Sequence, residues 1–358
     1  MWDFSWLERR WPGAGYADID LALDGLVERG YDAVRIDAYP HLVAADPRRE
    51  WELPPVWNQQ DWGSPALNRV CIQPHLDNFL AACARRGIAV GLSTWYREDR
   101  TQRRRHILTP EQQADQWIAT LRSIDPALHP VILYVDLCNE WPFDVWAPFF
   151  QPLRDHTPSD WSSPASLAWL ERAVNRFREA FPSMPVTVST ASLPERYLGT
   201  RLPAVDLLEP HLWLANNSDF YARVGYNYER FTSVGYENVV ARAEPLYRSD
   251  PEHWQAILRE RIDLLARCGR AQNLPLVTTE CWAIVDYKDG PLLDWGWVQE
   301  LTAHGVEHAV STGAWAAIAT SNFCGPQFHG MWDDIAWHRR LTDLIHAQPL
   351  PTLAAPGS

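Results

Sequence analysis

The sequence lacks the long apolar stretches that mark membrane proteins. Nowhere in the 358 residues does an uninterrupted apolar run approach the roughly 18 that a membrane-spanning helix needs. The first residues also show no basic segment followed by an apolar one, which is the pattern of a secretory leader. We therefore expect no membrane partner and a cytoplasmic location.

Cysteine is scarce and its spacing is uninformative for metal or redox chemistry. Six cysteines occur without any C-x-x-C pair, and twelve histidines occur without an H-E-x-x-H pattern. Structural zinc and disulfide scaffolds need closer spacing or a denser set. We expect free, mostly buried thiols, no metal site and no cofactor.

Positively charged residues are fewer than negatively charged ones. The chain has 32 Lys plus Arg against 45 Asp plus Glu, a formal net charge of −13, which argues against a nucleic-acid partner. Its one basic run, 97–105, favours a solvated face or a subunit contact over a clamp for an anionic substrate, so homo-oligomerisation stays open. With 46% hydrophobic and 22% charged residues, the composition is that of a folded globular protein.

Tryptophan is abundant, with 20 residues. Sugar rings present apolar C–H faces that pack on aromatic rings, while the indole N–H donates hydrogen bonds, so a tryptophan-rich site suits a carbohydrate partner. The candidates at predicted strand ends are Trp95, Trp141, Trp213, Trp282 and Trp315, with Trp57 and Trp62 as outer candidates.

Short apolar runs alternate with longer amphipathic stretches along the whole chain. This alternation is typical of βα units around a parallel sheet. The predicted strands are 3–6, 33–37, 89–94, 131–138, 186–190, 207–212, 276–280 and 309–314. The predicted helices are 19–29, 76–86, 111–123, 164–180, 253–268, 292–304 and 333–347.

Eight strands in this order predict an α/β fold, a (β/α)₈ barrel formed as one domain by residues 1–358. Only the connection between the fifth and sixth strands shows no clear long helix. The segments 38–73, 139–163 and 213–251, after the second, fourth and sixth strands, exceed ordinary connections. Such loops build the active face of a barrel.

Two glutamates, Glu140 and Glu280, end the fourth and seventh predicted strands. Two carboxylates facing each other across a narrow pocket suit glycoside hydrolysis, in which one protonates the leaving oxygen and the other attacks the anomeric carbon. Each glutamate taken alone fits an ordinary solvated ion pair equally well. Their joint placement favours the catalytic interpretation.

At these positions the chain resembles the clan A retaining glycoside hydrolases, the cellulase-like barrels near glycoside hydrolase family five. Asn139-Glu140 is similar to the Asn-Glu pair of that clan, in which the Asn contacts the sugar and the Glu is the acid/base. The resemblance further implies that Glu280 is the nucleophile and that Arg35 supports it. His211 and Trp315 are similar to the clan's strand-six His and strand-eight Trp platform, so Asn139, His211, Trp315 and Arg35, with Asp37 beside it on the second strand, join the candidate sugar-binding residues.

The sequence also departs from family five. The third strand reads Leu92-Ser93-Thr94 without the family's His, and Trp213 stands where the family has a Tyr. These departures predict a divergent cellulase-like family. The predicted function is a retaining β-glycosidase, acting from chain ends on oligosaccharides or glycosides.

Two other functions stay open at this level. A non-catalytic carbohydrate-binding barrel keeps the tryptophans but has no need of both glutamates. A metal-dependent barrel hydrolase or isomerase would need several ligands meeting at strand ends. Its candidate ligands are Asp37, His41, Asp206 and His211.

Overall fold

In the computed structural model, parallel strands alternate with helices in the predicted order. The structure describes residues 1–55, 66–150, 160–191, 193–228, 232–290 and 292–352. The predicted outer tryptophans Trp57 and Trp62 lie outside these described residues. Among the helices described, none combines the length and the apolar character needed to cross a bilayer.

The strands are short, and most of them belong to the barrel wall. In chain order they are β1 Ala33–Asp37, β2 Glu50–Leu53, β3 Asn68–Cys71, β4 Ala89–Ser93, β5 Ile132–Asp136, β6 Val186–Thr187, β7 Ser189–Thr190, β8 Glu209–Pro210, β9 Leu212–Trp213, β10 Leu276–Thr278, β11 Cys281–Trp282 and β12 Trp315–Ile318.

The pairings follow the order of a (β/α)₈ barrel. Parallel ladders join β1 to β4, β4 to β5, β5 to β6, β7 to β8, β9 to β11 and β10 to β12. A parallel bridge joins Trp2 to Arg35 and another joins Leu208 to Leu276. The first strand position of the barrel is the segment at Trp2, and the eighth is β12. They are linked by a side-chain hydrogen bond, in which Trp2 Nε1 donates to Asn322 Oδ1, just after β12, at 3.1 Å.

The helices cover the outside of this wall. They are α1 Ile19–Glu28, α2 Pro40–Val43, α3 His75–Arg85, α4 Pro110–Ser123, α5 Pro164–Ala180, α6 Arg196–Gly199, α7 Phe220–Val224, α8 Val234–Ser249, α9 Pro251–Gln272, α10 Gly296–Thr312, α11 His329–Trp332 and α12 Ile335–His346. As predicted, the connection between the fifth and sixth strand positions contains only the four-residue α6 among its described residues.

Local chemistry explains where these helices begin and end. The Asp18 carboxylate accepts from the backbone N–H of Leu21 and so caps the start of α1. After α1 and α3 the chain reverses through Gly30 and Gly87, at φ 81° and 68°, where a residue with a Cβ would be strained.

The predictions for the first and eighth strands are wrong in position. Residues Phe4–Leu7 form a 3₁₀ helix, because the Asp3 carboxylate accepts from the Ser5 N–H and turns the chain directly after the bridge at Trp2. The predicted strand 309–314 is mostly the end of α10, whose buried face includes Ala309 and Val310. Gly313, at φ 63°, stops this helix, and the strand begins at Trp315.

Two of the long loops contain elements that the periodicity did not reveal. After β1, the antiparallel strands β2 and β3 form a hairpin. After β9, the segment predicted as a loop contains α7 and α8.

The core has an outer layer and an inner one. The outer layer packs helices against strands and contains most of the buried apolar residues. A separate inner cluster of Tyr134, Leu207 and Val277 fills the lower part of the barrel. All six cysteines are free thiols, five of them buried, as predicted.

Candidate active site

The middle of the barrel contains charged side chains. In most barrels this layer is filled by bulky aliphatic residues, but here β1 contributes the buried guanidinium of Arg35. This group lies 2.5 Å from Asp136 Oδ2, 3.1 Å from Glu280 Oε1 and 3.3 Å from Glu209 Oε1. The side chains of all three carboxylates are at most 2% exposed. Arg35 is therefore the cation around which the site is organised.

Neighbouring aromatic rings hold Arg35 in place. Its guanidinium carbon lies 4.5 Å from the centre of the Trp95 ring, a cation–π contact. The Trp95 ring in turn stacks on Trp2 at 5.6 Å. Trp95 thus supports the arginine from the end of the third strand position.

Glu140 sits at the rim, directly above this layer. Its backbone adopts φ 47°, a conformation that non-glycine residues rarely take and that concentrates at functional sites. The turn is held because Glu140 N–H donates to Ser189 Oγ and Trp141 N–H donates to the Ser189 carbonyl, each at 2.9 Å. The carboxylate accepts from Trp146 Nε1 at 2.9 Å.

His211 lies between the two glutamates predicted to be catalytic. Its Nδ1 is 3.2 Å from Glu140 Oε1 and 3.6 Å from Glu280 Oε2. One ligand-type atom from each of the three residues lies within 4.8 Å of the other two. The fold therefore brings Glu140 and Glu280 together across the barrel mouth, as the sequence predicted.

Burial shifts the pKa values of Glu280 and His211. It raises the pKa of Glu280, an effect that Glu140 reinforces and Arg35 opposes. Burial lowers the pKa of His211, although Glu140 acts in the opposite direction. The imidazole is thus favoured as the neutral species, which can exchange hydrogen bonds with either carboxyl group.

Several buried polar atoms at this site have no hydrogen-bond partner in the described structure. They are Asn139 Nδ2, His211 Nε2, Trp95 Nε1 and Trp213 Nε1. Buried polar groups are rarely left without partners. A ligand rich in hydroxyl groups would satisfy them.

Other predicted sugar-binding residues serve the scaffold. Asp37 accepts from the backbone N–H of Tyr39 and Trp95, at 2.7 and 3.1 Å, and so holds two loops. Burial raises its pKa to about 7. Trp141 donates to Ser166 Oγ and stacks on Trp169, both of which belong to α5.

The last two predicted tryptophans also pack away from the carboxylates. Trp282 donates to the Ala319 carbonyl and lies against Gly305 of α10, where a Cβ atom would approach the ring to 2.7 Å. The prediction that Trp315 follows the eighth strand is wrong. It pairs with Leu276 at the beginning of β10, at the end of the barrel opposite the site, because α10 is longer than predicted.

The residues of the metal-site hypothesis do not come together. His41 Nε2 bonds to the Arg97 carbonyl, and Asp206 accepts from Val186 N–H and Arg178 near the start of β6. Arg97, expected on a solvated face, instead pairs with Glu8 as a buried ion pair.

The site also contains five residues that were not predicted from the sequence: Asp136, Glu209, Ser93, Ser189 and Trp146. A signal was present for one of them: Glu209 lies two residues before His211, and strand alternation places such residues on the same face.

Removing the cation is expected to destabilise the barrel. In Arg35→Met, three buried carboxylates lose their only guanidinium among the described contacts, a change that typically costs about 3–5 kcal/mol. Urea unfolding at neutral pH measures this cost. Arg176→Met, which breaks a surface pair with Asp115, is the control, and equal midpoints for the two variants would contradict the role given to Arg35.

Comparisons with known proteins give a family match and similar solved structures. A family model, Cellulase-like, described as sugar-binding cellulase-like, matches residues 1–346. A candidate glycoside hydrolase from Parabacteroides distasonis is 51% identical, with a TM-score of 0.95 over 97% of this chain and 93% of that chain.

More distant solved structures show the same barrel. Endoglucanase Cel5A from Thermotoga maritima is 14% identical, with a TM-score of 0.53 over 91% of this chain and 89% of that chain. A xyloglucan-specific β-1,4-glucanase of glycoside hydrolase family five, from a ruminal metagenomic library, is 11% identical, with a TM-score of 0.51 over 95% and 89%. No curated protein sequence matches the chain.

Proposed function

We propose, from the premise that this chain belongs to the cellulase-like family, that it is a retaining β-glycosidase with Glu280 as nucleophile and Glu140 as acid/base. The family and the fold support glycosidase activity in general. The finer proposal depends on one observation, the approach of the two carboxylates to within 4.8 Å. Retaining enzymes place them roughly 5–5.5 Å apart, whereas inverting enzymes leave about 6.5–9.5 Å for a water molecule.

The first step forms a covalent glycosyl-enzyme. Ionised Glu280 attacks the anomeric carbon while protonated Glu140 gives its proton to the departing glycosidic oxygen. Arg35, 3.1 Å from Glu280 Oε1, favours the ionised form of the nucleophile by opposite charge and a hydrogen bond, against the effect of burial on its pKa.

In the second step the roles of the carboxyl groups change. Glu140, now ionised, removes a proton from a water molecule, which attacks the same carbon and releases Glu280. His211 contacts both groups and can stabilise Glu140 in either protonation state. The anomeric configuration of the product is that of the substrate.

The unpartnered atoms of Asn139, His211, Trp95 and Trp213 suit a sugar in this position. Hydroxyl groups both donate and accept hydrogen bonds. Asn139 Oδ1 already accepts from Arg35 at 2.8 Å, which leaves Nδ2 free to donate to a sugar hydroxyl beside the anomeric carbon.

A cleft of about 720 Å³ continues from His211 along the loop after β9. Its lining includes Tyr226, Tyr228, Asn216 and Asn227, which are side chains suited to stacking and to hydroxyl recognition. The charged side chain of Arg196 in this cleft already pairs with Asp160. We assign the cleft to the leaving group, an uncharged sugar or glycoside.

A metal-dependent reaction is the second candidate, since two carboxylates and an imidazole also suit a divalent cation. The Arg35 guanidinium at 3.1 Å from Glu280 opposes a cation at that oxygen. A non-catalytic sugar-binding barrel would need neither the paired glutamates nor the arginine. Activity that survives prolonged treatment with a chelator is expected.

Covalent labelling tests the proposal directly. Incubation with 2-deoxy-2-fluoro glycosyl fluorides of gluco, manno and galacto configuration is expected to add one fluorosugar mass, localised to Glu280 by peptide analysis. The fluorine slows both steps, and the reactive leaving group lets the first proceed, so the intermediate accumulates. No adduct, together with uncleaved β-glycosides, would favour the binding barrel. Loss of activity with chelator would favour the metal.

A further inference from the structure

Arg35 faces more negative charge than it can balance. If Asp136, Glu209 and Glu280 were all ionised, one guanidinium would oppose three buried carboxylates. A buried carboxylate without compensation is costly, and such a group usually retains a proton instead. One of the three carboxyl groups is therefore expected to keep a proton.

Asp136 accepts more hydrogen bonds than the other two carboxyl groups. It accepts from Arg35 Nη2, from the hydroxyls of Ser93 and Ser189, and from the backbone N–H of Ser189 and Cys138. Five donors stabilise the ionised form of a carboxyl group.

Arg35 interacts more favourably with Glu280 than with Glu209. Glu280 receives a well-formed hydrogen bond from Arg35 Nη1 at 3.1 Å. Glu209 lies 3.3 Å from Arg35 Nε, but this N–H makes no hydrogen bond of acceptable geometry within the described structure. Glu209 Oε1 accepts from Thr279 Oγ1, at 2.6 Å. Its buried Oε2 makes no hydrogen bond of full geometry among the described residues, although the Tyr134 hydroxyl faces the carboxyl group.

We propose that Glu209 is a positioning residue, held protonated in the resting enzyme, which leaves the charge of Arg35 to Asp136 and Glu280. The proton resides on Oε2. Glu209 does not touch the substrate and acts through the arginine. This role rests on the proposed function only in so far as Glu280 is the nucleophile.

Proton exchange with Glu209 would pass through Tyr134 and a cavity below the site. A cavity of about 310 Å³ is lined by buried Arg35, Tyr134 and Thr279 and by exposed His346 and Gln348 at the base of the barrel. The buried Tyr134 hydroxyl makes no hydrogen bond of full geometry within the described part of the chain, but it faces Glu209, and hydrogen bonding between the two lowers the pKa of that carboxyl group. Water in this cavity would connect the hydroxyl with solvent.

Charged and titratable groups face Glu209 from several elements. They come from Arg35 on β1, Asp136 and Tyr134 on β5, and Glu280 after β10. Burial raises the pKa of Glu209 to about 7, against the lowering effect of Arg35. Ionised Glu209 raises the pKa of Glu280, so the proton on Glu209 favours an ionised nucleophile.

Glu209→Gln imitates the protonated residue and therefore makes a sharp test. Initial rates of aryl β-glycoside hydrolysis are compared with wild type across the pH range. Below about pH 6 the two kcat/KM profiles are expected to agree within about twofold, and above about pH 7 they are expected to diverge as wild-type Glu209 loses its proton. A divergence that persists below about pH 6 would mean that Glu209 is ionised there as well, and would overturn the proposal.

Glu8→Gln is the matched control. It also replaces a buried, ion-paired glutamate, but one that contacts Arg97 outside the site. Its profile is expected to keep the wild-type shape. If the Glu8→Gln profile changes in the same way as that of Glu209→Gln, the effect reflects general loss of packing and the proposal fails.

Thermal unfolding tests the protonation of Glu209 independently of the proposed function, because it does not require enzyme activity. Because its pKa is raised, protonated Glu209 stabilises the folded protein. This contribution is fully present below the ordinary carboxyl pKa of 4.5 and is lost as the pH rises through about 7. The Tm of Glu209→Gln relative to wild type is therefore expected to increase between about pH 5 and pH 8. A constant difference would overturn the proposal even in an active enzyme, and Glu209→Met is a second neutral variant should the first not fold.

Discussion

Glu280→Gln is expected to lower β-glycoside hydrolysis by about 10⁴–10⁶-fold, as removal of a covalent nucleophile does in other enzymes. Glutamine keeps the size and can still accept a hydrogen bond from Arg35, 3.1 Å away. It provides no anion to attack the anomeric carbon, so the loss is chemical and not structural. Initial rates with an aryl β-glycoside, and the absence of a fluorosugar adduct, measure it.

Retained sugar binding is the second half of this expectation. The unpartnered donors of Asn139 and Trp213 remain in Glu280→Gln, so calorimetry should still detect the sugar that labels wild type. Glu300→Gln, which removes a surface partner of Arg248, is the control and should retain full activity. A Glu280→Gln enzyme that still turns over rapidly would exclude the double-displacement mechanism.

Glu140→Ala is expected to slow hydrolysis by about 10²–10⁴-fold, with the larger losses for poor leaving groups. A leaving oxygen of low basicity departs without protonation, so activated aryl glycosides should form the intermediate and then stall. The alanine also opens space where the carboxylate met His211 and Trp146. Sodium azide should enter there and attack the glycosyl-enzyme.

The product of this rescue identifies the role of Glu140. A β-glycosyl azide, detected by proton NMR, is expected from Glu140→Ala and not from Glu140→Gln, in which the amide fills the space. Glu98→Gln, which removes a partner of Arg104, serves as the control. Equal losses for good and poor leaving groups, without azide rescue, would remove Glu140 from the acid/base role.

The order of the elements was readable from the sequence because helix and strand periods are local properties. The prediction of β1 at residues 33–37 and of a helix at 164–180 matches the structure. The resemblance to cellulase-like barrels is confirmed by the family model. Errors occurred where two states compete: the apolar run 309–314 fits a strand, but most of it continues the buried face of α10.

The tryptophans show that the position of a residue in the sequence does not predict which way its side chain points. Position alone could not tell that Trp282 turns toward Gly305 of α10, or that Trp146, six residues after Glu140, returns to contact it. These directions depend on packing between elements distant in the chain. Strand ends identify candidates, and the fold selects among them.

By itself, the sequence determined the barrel and the two strand ends that bear Glu140 and Glu280, because alternation and chain order place parallel strand ends on one face. Only the tertiary structure decided that Arg35 is shared among Asp136, Glu209 and Glu280. Charge balance is a property of distances and burial across four strand positions. It is set where the barrel wall brings together residues up to 245 positions apart in the chain.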